Sequence, residues 1–206
     1  GLLVQGQGRQ LGRLARVGRE HMPHGADQLF IEHEIEGIEA AGLPVIGFTD
    51  LMWCPPRKRA RDPREPEVLD WKFVGSYNYV ATSKSITELI PMLAYGKWAL
   101  DRQWTDAPAV RLSHVYFKTK GPPDALKVSG VITRETLASR WEYVSQVAGT
   151  MKAIAGESQE SKVEANTSSC GAYGGCPHLA YCSAGKFNAL STMFGADGAN
   201  DIISKG

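Results

Sequence analysis

The sequence predicts a mixed α/β (α+β) domain. Three observations predict it. Short apolar runs rich in β-branched and aromatic residues are bounded by Gly and Pro, as buried strands are. One long stretch places apolar residues three and four apart, the mark of a helix with one buried face. The resulting order is helix, three strands, helix, two strands, helix.

Taken in order, 8–20 is Arg-rich with Leu11, Leu14, Ala15 and Val17 at helical spacing, and ends at the Pro23–Gly25 turn. Phe30–Glu36 is predicted as a strand with Phe30, Glu32 and Glu34 on one face and Ile31, His33 and Ile35 on the other. Ala41-Gly42 turns the chain into a second strand, Leu43 to Asp50, and a third runs from Glu67 to Val74. Between them, Cys54–Pro66 carries four prolines and five Lys or Arg, a basic hairpin loop. A helix is expected over Thr87–Arg102, capped by Thr87, with Pro91 in or near its first turn. Two strands, Val110–Lys118 and Leu126–Ile132, flank a Gly121–Asp124 turn. Thr133 then caps a helix with Leu137, Trp141, Val144, Val147, Met151 and Ile154 on one face, and Gly156 is its expected C-cap. The 206 residues suffice for one core and an appended segment, divided here as 1–156 and 157–206.

Composition excludes some classes. With 43% hydrophobic and 22% charged residues and a net charge of +1, the chain is an ordinary globular protein without bulk basicity. No apolar stretch approaches the roughly 18–20 residues that span a bilayer. The opening Gly1–Gly6 has no basic, apolar leader and no Met, so a missing upstream segment is expected.

Asp50 and Asp70 interrupt apolar runs, and a buried Asp is costly unless it is paired or holds a metal. Asp70 and Lys72, two apart on a strand, share a face. Two hard carboxylates suit Mg²⁺ or Mn²⁺, and a neighbouring ammonium can hold or activate a water. Arg57, Lys58, Arg59 and Arg61 suit phosphate contacts, or else form a solvated loop. Cys170, Cys176 and Cys182, spaced among glycines, suit thiolate ligation of a metal centre. The competing readings are a zinc site with a histidine, or free thiols.

Gly47-Phe48-Thr49-Asp50, Asp70-Trp71-Lys72 and a following helix bearing Tyr95 resemble the PD-(D/E)XK nuclease superfamily, most closely its RecB-like branch. That branch includes phage-encoded and CRISPR-adaptation exonucleases that carry an iron–sulfur cluster, and the likeness runs from about Glu32 to Cys182. It implies a restriction-endonuclease-like core, a central mixed sheet flanked by helices, with the Cys-rich segment packed on it. It further implies Asp50, Asp70 and the Trp71 carbonyl as metal ligands, Glu32 as an auxiliary one, and catalytic roles for Lys72 and Tyr95. A 4Fe–4S cluster on Cys170, Cys176 and Cys182, DNA ends or single strands as substrate, recombination or CRISPR-adaptation proteins as partners, and the cytoplasm of a prokaryotic or phage-infected cell follow in the same way. The sequence departs from the family twice: no His motif stands on an upstream helix, and Pro91 occupies the usual Gln position four before Tyr95. The rivals are a catalytically degenerate DNA-binding module of the same fold and a structural metal-binding protein.

Overall fold

The computed structural model describes residues 16–26 and 28–157, together with Cys182, Gly195 and Asp197. The chain divides into two compact units, Gly1–Met151 and Lys152–Gly206. The first unit is a mixed α+β domain whose five-stranded sheet has the order β1-β2-β3-β4-β5. Its strands are β1 (Gln28–Ala40), β2 (Leu43–Cys54), β3 (Glu67–Val74), β4 (Ala109–Lys118) and β5 (Ala125–Thr133).

β1 and β2 form a long hairpin whose turn residues, Ala41 and Gly42, both take positive φ (+52° and +71°). That is the primed turn matching the twist of paired strands. β1 is longer than the predicted Phe30–Glu36, and its alternation is not regular. Glu32 sits at φ +48°, which switches the phase of the strand. Phe30 and His33 consequently lie together, ring centroids 5.0 Å apart, beneath Trp98, whereas Ile31 is exposed. A second irregularity between Ile35 and Ile38 passes through Gly37 at φ +73°. Its freed carbonyls find donors: Trp98 Nε1 donates to Glu36 O at 3.1 Å, and Arg102 donates to Gly37 O.

β3 and β4 are parallel, so the chain must cross over between them. The crossover carries α1 (Ser83–Ile86), α2 (Ile90–Trp98) and a π-helical turn (Ala99–Gln103). The expected single helix from Thr87 is thus broken in two. Thr82 caps α1 through Ser85, Thr87 closes that helix at its C-terminal end, and Leu89 precedes α2. Pro91 falls in the first turn of α2, where its missing N–H costs nothing.

The third helix, α3 (Arg134–Ala155), starts beside the Thr133 hydroxyl, which accepts from Thr136 N. Only its first half carries the expected buried face, through Leu137, Trp141 and Val144; Met151 and Ile154 are 63% and 46% exposed. Gly156 closes the last turn by donating to Lys152 O and Ala153 O, without the left-handed cap expected of it. Among the described residues no helix is long and apolar enough to cross a membrane.

The core lies on one face of the sheet. Ile35, Met52, Val68, Leu112 and Ile132 pack against Leu93, Trp98, Leu100 and Trp141. Burying each such side chain contributes about 1.5–3 kcal/mol. Leu51, Leu69 and Val115 form a smaller cluster on the opposite face. Close approach of α1 to β5 is permitted by Gly130. A Cβ there would stand 2.6 Å from Thr87 Cγ2 and closer still to the Ser83 carbonyl oxygen. Gly130→Ala is expected to cost roughly 1–3 kcal/mol by overpacking, read as a lower urea midpoint; an unchanged midpoint would contradict this contact.

Candidate active site

The β2–β3 ladder runs only from Trp53↔Glu67 to Leu51↔Leu69. Beyond it the strands part, and the next residues along each are Asp50 and Asp70. The Asp50 carboxylate fills the gap: Trp71 N donates to its Oδ2 at 2.6 Å. A charge-assisted bond to backbone replaces a ladder bond and fixes the carboxylate. Within an extended strand a residue's N–H and C=O point to the same neighbour, so the Trp71 carbonyl faces the same gap.

β3 alternation places Val68, Asp70 and Lys72 on the helix-covered face and Leu69 and Trp71 on the other. Side-chain exposure of the two charged residues rises along that face, from 14% at Asp70 to 48% at Lys72. Lys72 Nζ lies 2.6 Å from Asp70 Oδ2, an ion pair. Burial works to lower the Lys72 pKa, but the pairing with Asp70 and the field of Asp50 outweigh it and raise it. Lys72 is therefore a fixed cation at neutral pH.

α2 adds Tyr95, whose ring lies over Gly47; a Cβ at Gly47 would stand 3.4 Å from Tyr95 Cε1. Burial, then the charges of Asp70 and Asp50, raise the Tyr95 pKa. Its phenol stays protonated and is available as a donor. Asp50, Asp70, Lys72 and Tyr95 are thus brought together.

β4 contributes a residue that sequence reasoning missed. Parallel pairing sets His114 beside Asp70 and Tyr116 beside Lys72. His114 is buried, with Nε2 3.8 Å from Asp70 Oδ2 and Nδ1 2.9 Å from Tyr116 Oη. Tyr116 Oη in turn accepts from Ala81 N at 2.9 Å. Nothing local in the sequence around His114 marks it, because its partner is 44 residues away and their register depends on the crossover.

Other predicted residues lie elsewhere. Glu32 is exposed at the β1 kink, next to the Asp50 position across the hairpin. Arg57 is ion-paired with Asp106 at 3.6 Å, and Arg64 shares the same carboxylate. Lys58, Arg59 and Arg61 are exposed. This loop joins the Cys54 end of β2 to the Glu67 end of β3, three residues (about 10 Å) before Asp70. It is not gathered around Lys72. Trp53 donates to Glu67 Oε2, which with Ser113 and Lys127 forms a separate polar network. Cys182 is half-buried in the second unit; Cys170 and Cys176 lie outside the described residues.

Among the described residues no three His, Cys, Asp or Glu side chains converge as a metal cage. Two carboxylates do stand at one gap, and Asp70 Oδ2 is buried beside the Lys72 ammonium at 2.6 Å and the His114 ring at 3.8 Å. Such a pair fits Mg²⁺ or Mn²⁺, which keep several waters and take few protein oxygens.

No family model and no curated protein matches the chain. Among solved structures it is similar to the Eubacterium rectale protein described as "Putative exonuclease", at 13% identity and a TM-score of 0.48. That match covers 87% of this chain and 60% of the other, so the chain spans about three-fifths of that protein's length. It is also similar to SSO0001, at 14% identity and a TM-score of 0.38, covering 85% of this chain and 67% of that one.

The buried histidine carries a pH signature. Burial lowers the His114 pKa, with Asp70 opposing, Lys72 assisting and Asp50 opposing. The unfolded chain therefore takes up a proton near the ordinary histidine value of about 6.5 that the folded chain refuses. Stability from this group is full above that value and is lost as pH falls through it. His114→Gln should lose less melting temperature than wild type between about pH 7 and 5; parallel losses would refute the assignment.

Proposed function

We propose that this chain is a divalent-metal-dependent nuclease acting on DNA, of the RecB-like PD-(D/E)XK class, and an exonuclease. The observation that carries the reading is the convergence of Asp50, Asp70, Lys72 and Tyr95 where β2 and β3 part. Those residue types are the ones the sequence resemblance assigns to the metal, the attacking water and the phosphate.

The chain's own groups divide the work. Asp50, Asp70 and the Trp71 carbonyl would hold Mg²⁺ or Mn²⁺, with Glu32 at most an auxiliary group reached by movement of the β1 kink. When bound, the ion supplies Lewis acidity at the phosphate and lowers the pKa of water. Lys72, held protonated by Asp70, orients the attacking water and offsets negative charge that develops on the phosphoryl oxygens. Tyr95 donates a hydrogen bond to a non-bridging oxygen. Water attacks phosphorus, the P–O bond to the leaving nucleotide breaks, and solvent at the open Lys72 end takes up a proton from the attacking water and returns one to the departing oxygen. Arg57, Lys58, Arg59 and Arg61 contact the backbone of DNA further from the cut, with Arg57 exchanging Asp106 for phosphate.

Degradation of end-labelled single- and double-stranded DNA by the full chain tests the reading. Mg²⁺- or Mn²⁺-dependent loss of label is expected, abolished by Asp70→Ala and lowered about 10²–10³-fold by Lys72→Ala at unchanged melting temperature. Cleavage that survives both changes overturns the site. DNA binding without cleavage in wild type favours a degenerate DNA-binding module, for which Pro91 in place of the family's Gln is the supporting feature.

For the second unit we propose a 4Fe–4S cluster on Cys170, Cys176 and Cys182, with zinc as its competitor. Protein purified without oxygen should be brown and contain iron and sulfide, both lost in the triple Cys→Ser variant. Zinc in their place selects the alternative, and neither metal removes the proposal. The activity would serve phage or prokaryotic recombination, repair or CRISPR-type adaptation in the cytoplasm, alongside proteins of those processes.

A further inference from the structure

The Asp70 carboxylate has a rear support that the nuclease reading does not use. Three groups stand in series behind it. Ala81 N donates to Tyr116 Oη at 2.9 Å, Tyr116 Oη is 2.9 Å from His114 Nδ1, and His114 Nε2 is 3.8 Å from Asp70 Oδ2. The direction of the protons follows from counting. With one lone pair of Tyr116 Oη taken by Ala81 N–H, its own proton is best placed on His114 Nδ1. The imidazole then carries its proton on Nε2, facing Asp70. That tautomer presents no lone pair toward the carboxylate, so His114 is not itself a ligand for a cation there. At 3.8 Å the contact with Oδ2 is electrostatic, not a hydrogen bond. Because His114 and Tyr116 are both buried, the field of that N–H is only weakly screened.

We infer that His114, oriented by Tyr116, is a positioning residue that holds Asp70 in the rotamer needed to bind a divalent ion. The inference rests on the nuclease reading given above. A group of this kind acts through the ligand it steadies, and outer-sphere partners of metal ligands are typically worth about 10–100-fold in affinity. Tyr116 supports Asp70 at one further remove. It also anchors Ala81, just before α1, so the start of the crossover and the carboxylate are held by a single hydroxyl.

Mn²⁺ binding to the full chain without DNA, followed by the EPR signal of free Mn²⁺, tests this independently of cleavage. His114→Ala is expected to weaken binding by about 10–100-fold. His114→Gln, whose side-chain amide can set an N–H where Nε2–H stands, should recover most of that loss. Tyr116→Phe should fall between wild type and His114→Ala. Melting temperatures of all three variants identify any that has merely failed to fold, and the Gln and Phe variants preserve the bulk of the site. Wild-type affinity in folded His114→Ala or Tyr116→Phe overturns the positioning role and leaves the nuclease reading standing. Hyperfine coupling of bound Mn²⁺ to ¹⁵N-labelled histidine that vanishes in His114→Gln overturns it in favour of direct ligation. No Mn²⁺ binding by folded wild type overturns the nuclease reading, and this inference falls with it.

Discussion

The candidate site depends on a strand ladder that stops. β2 and β3 pair for only three residues each, and at the fourth position a carboxylate takes the place of a backbone acceptor. Had pairing continued, the Trp71 N–H would be spent on β2 main chain, and Asp50 would be a costly charge beside a closed sheet. Because the strands part, the Trp71 N–H is satisfied by Asp50, the carboxylate is held by a charge-assisted bond, and the gap between the strands becomes a polar notch. Bonds of that type are worth about 1.5–3 kcal/mol, enough to stabilise the notch in place of the lost ladder. The parallel β3–β4 pairing completes it by setting His114 behind Asp70.

Electrostatics then decides what the notch can hold. Asp50 and Asp70 contribute two negative charges, Lys72 one positive charge, and His114 and Tyr95 none at neutral pH. The cluster is left one charge short of neutral, with Lys72 paired to Asp70 alone. A cation is the natural complement of that arrangement. Lys72 cannot fill the role alone, because its ammonium is tethered to one side of Asp70 and open to solvent on the other.

Much of this was legible in the sequence, and the reasons are specific. The ends of β3 are legible because Glu67–Val74, an apolar run interrupted by Asp70 and Lys72, is bounded by Pro66 and Gly75, and its two-residue period puts Asp70 and Lys72 together. Ala41-Gly42 announced its own turn. The errors arose where tertiary contacts override local pattern. A single residue at φ +48°, Glu32, reverses the expected faces of Phe30 and Ile31, and nothing about a glutamate signals that. Thr87 looked like the start of a helix and proved to be the end of one, its hydroxyl and carbonyl engaged by Arg140 from α3. Asp106, late in the crossover, holds Arg57 and Arg64 of the basic loop, a contact that no local pattern shows. His114 was missed because strand pairing across a crossover leaves no trace in either strand alone.

The burial gradient along β3 links fold to chemistry. Val68 is fully buried in the core, Asp70 lies at the core's margin, and Lys72 is half in solvent, all on one face and two residues apart. A spacing of about 6.6 Å between such neighbours carries the chain from apolar interior to water in two steps. The middle position is the one where a carboxylate is dry enough for its charge to act strongly, yet still open to a small ion and a phosphate. The outer position suits a cation that must meet a large, solvated polyanion. An Asp in place of Val68 would be buried without a partner, and an Asp in place of Lys72 would be screened by water. The core that fixes Val68 therefore also sets where along this strand a metal-and-phosphate chemistry can be placed, and the site follows from the strand's exit from the core.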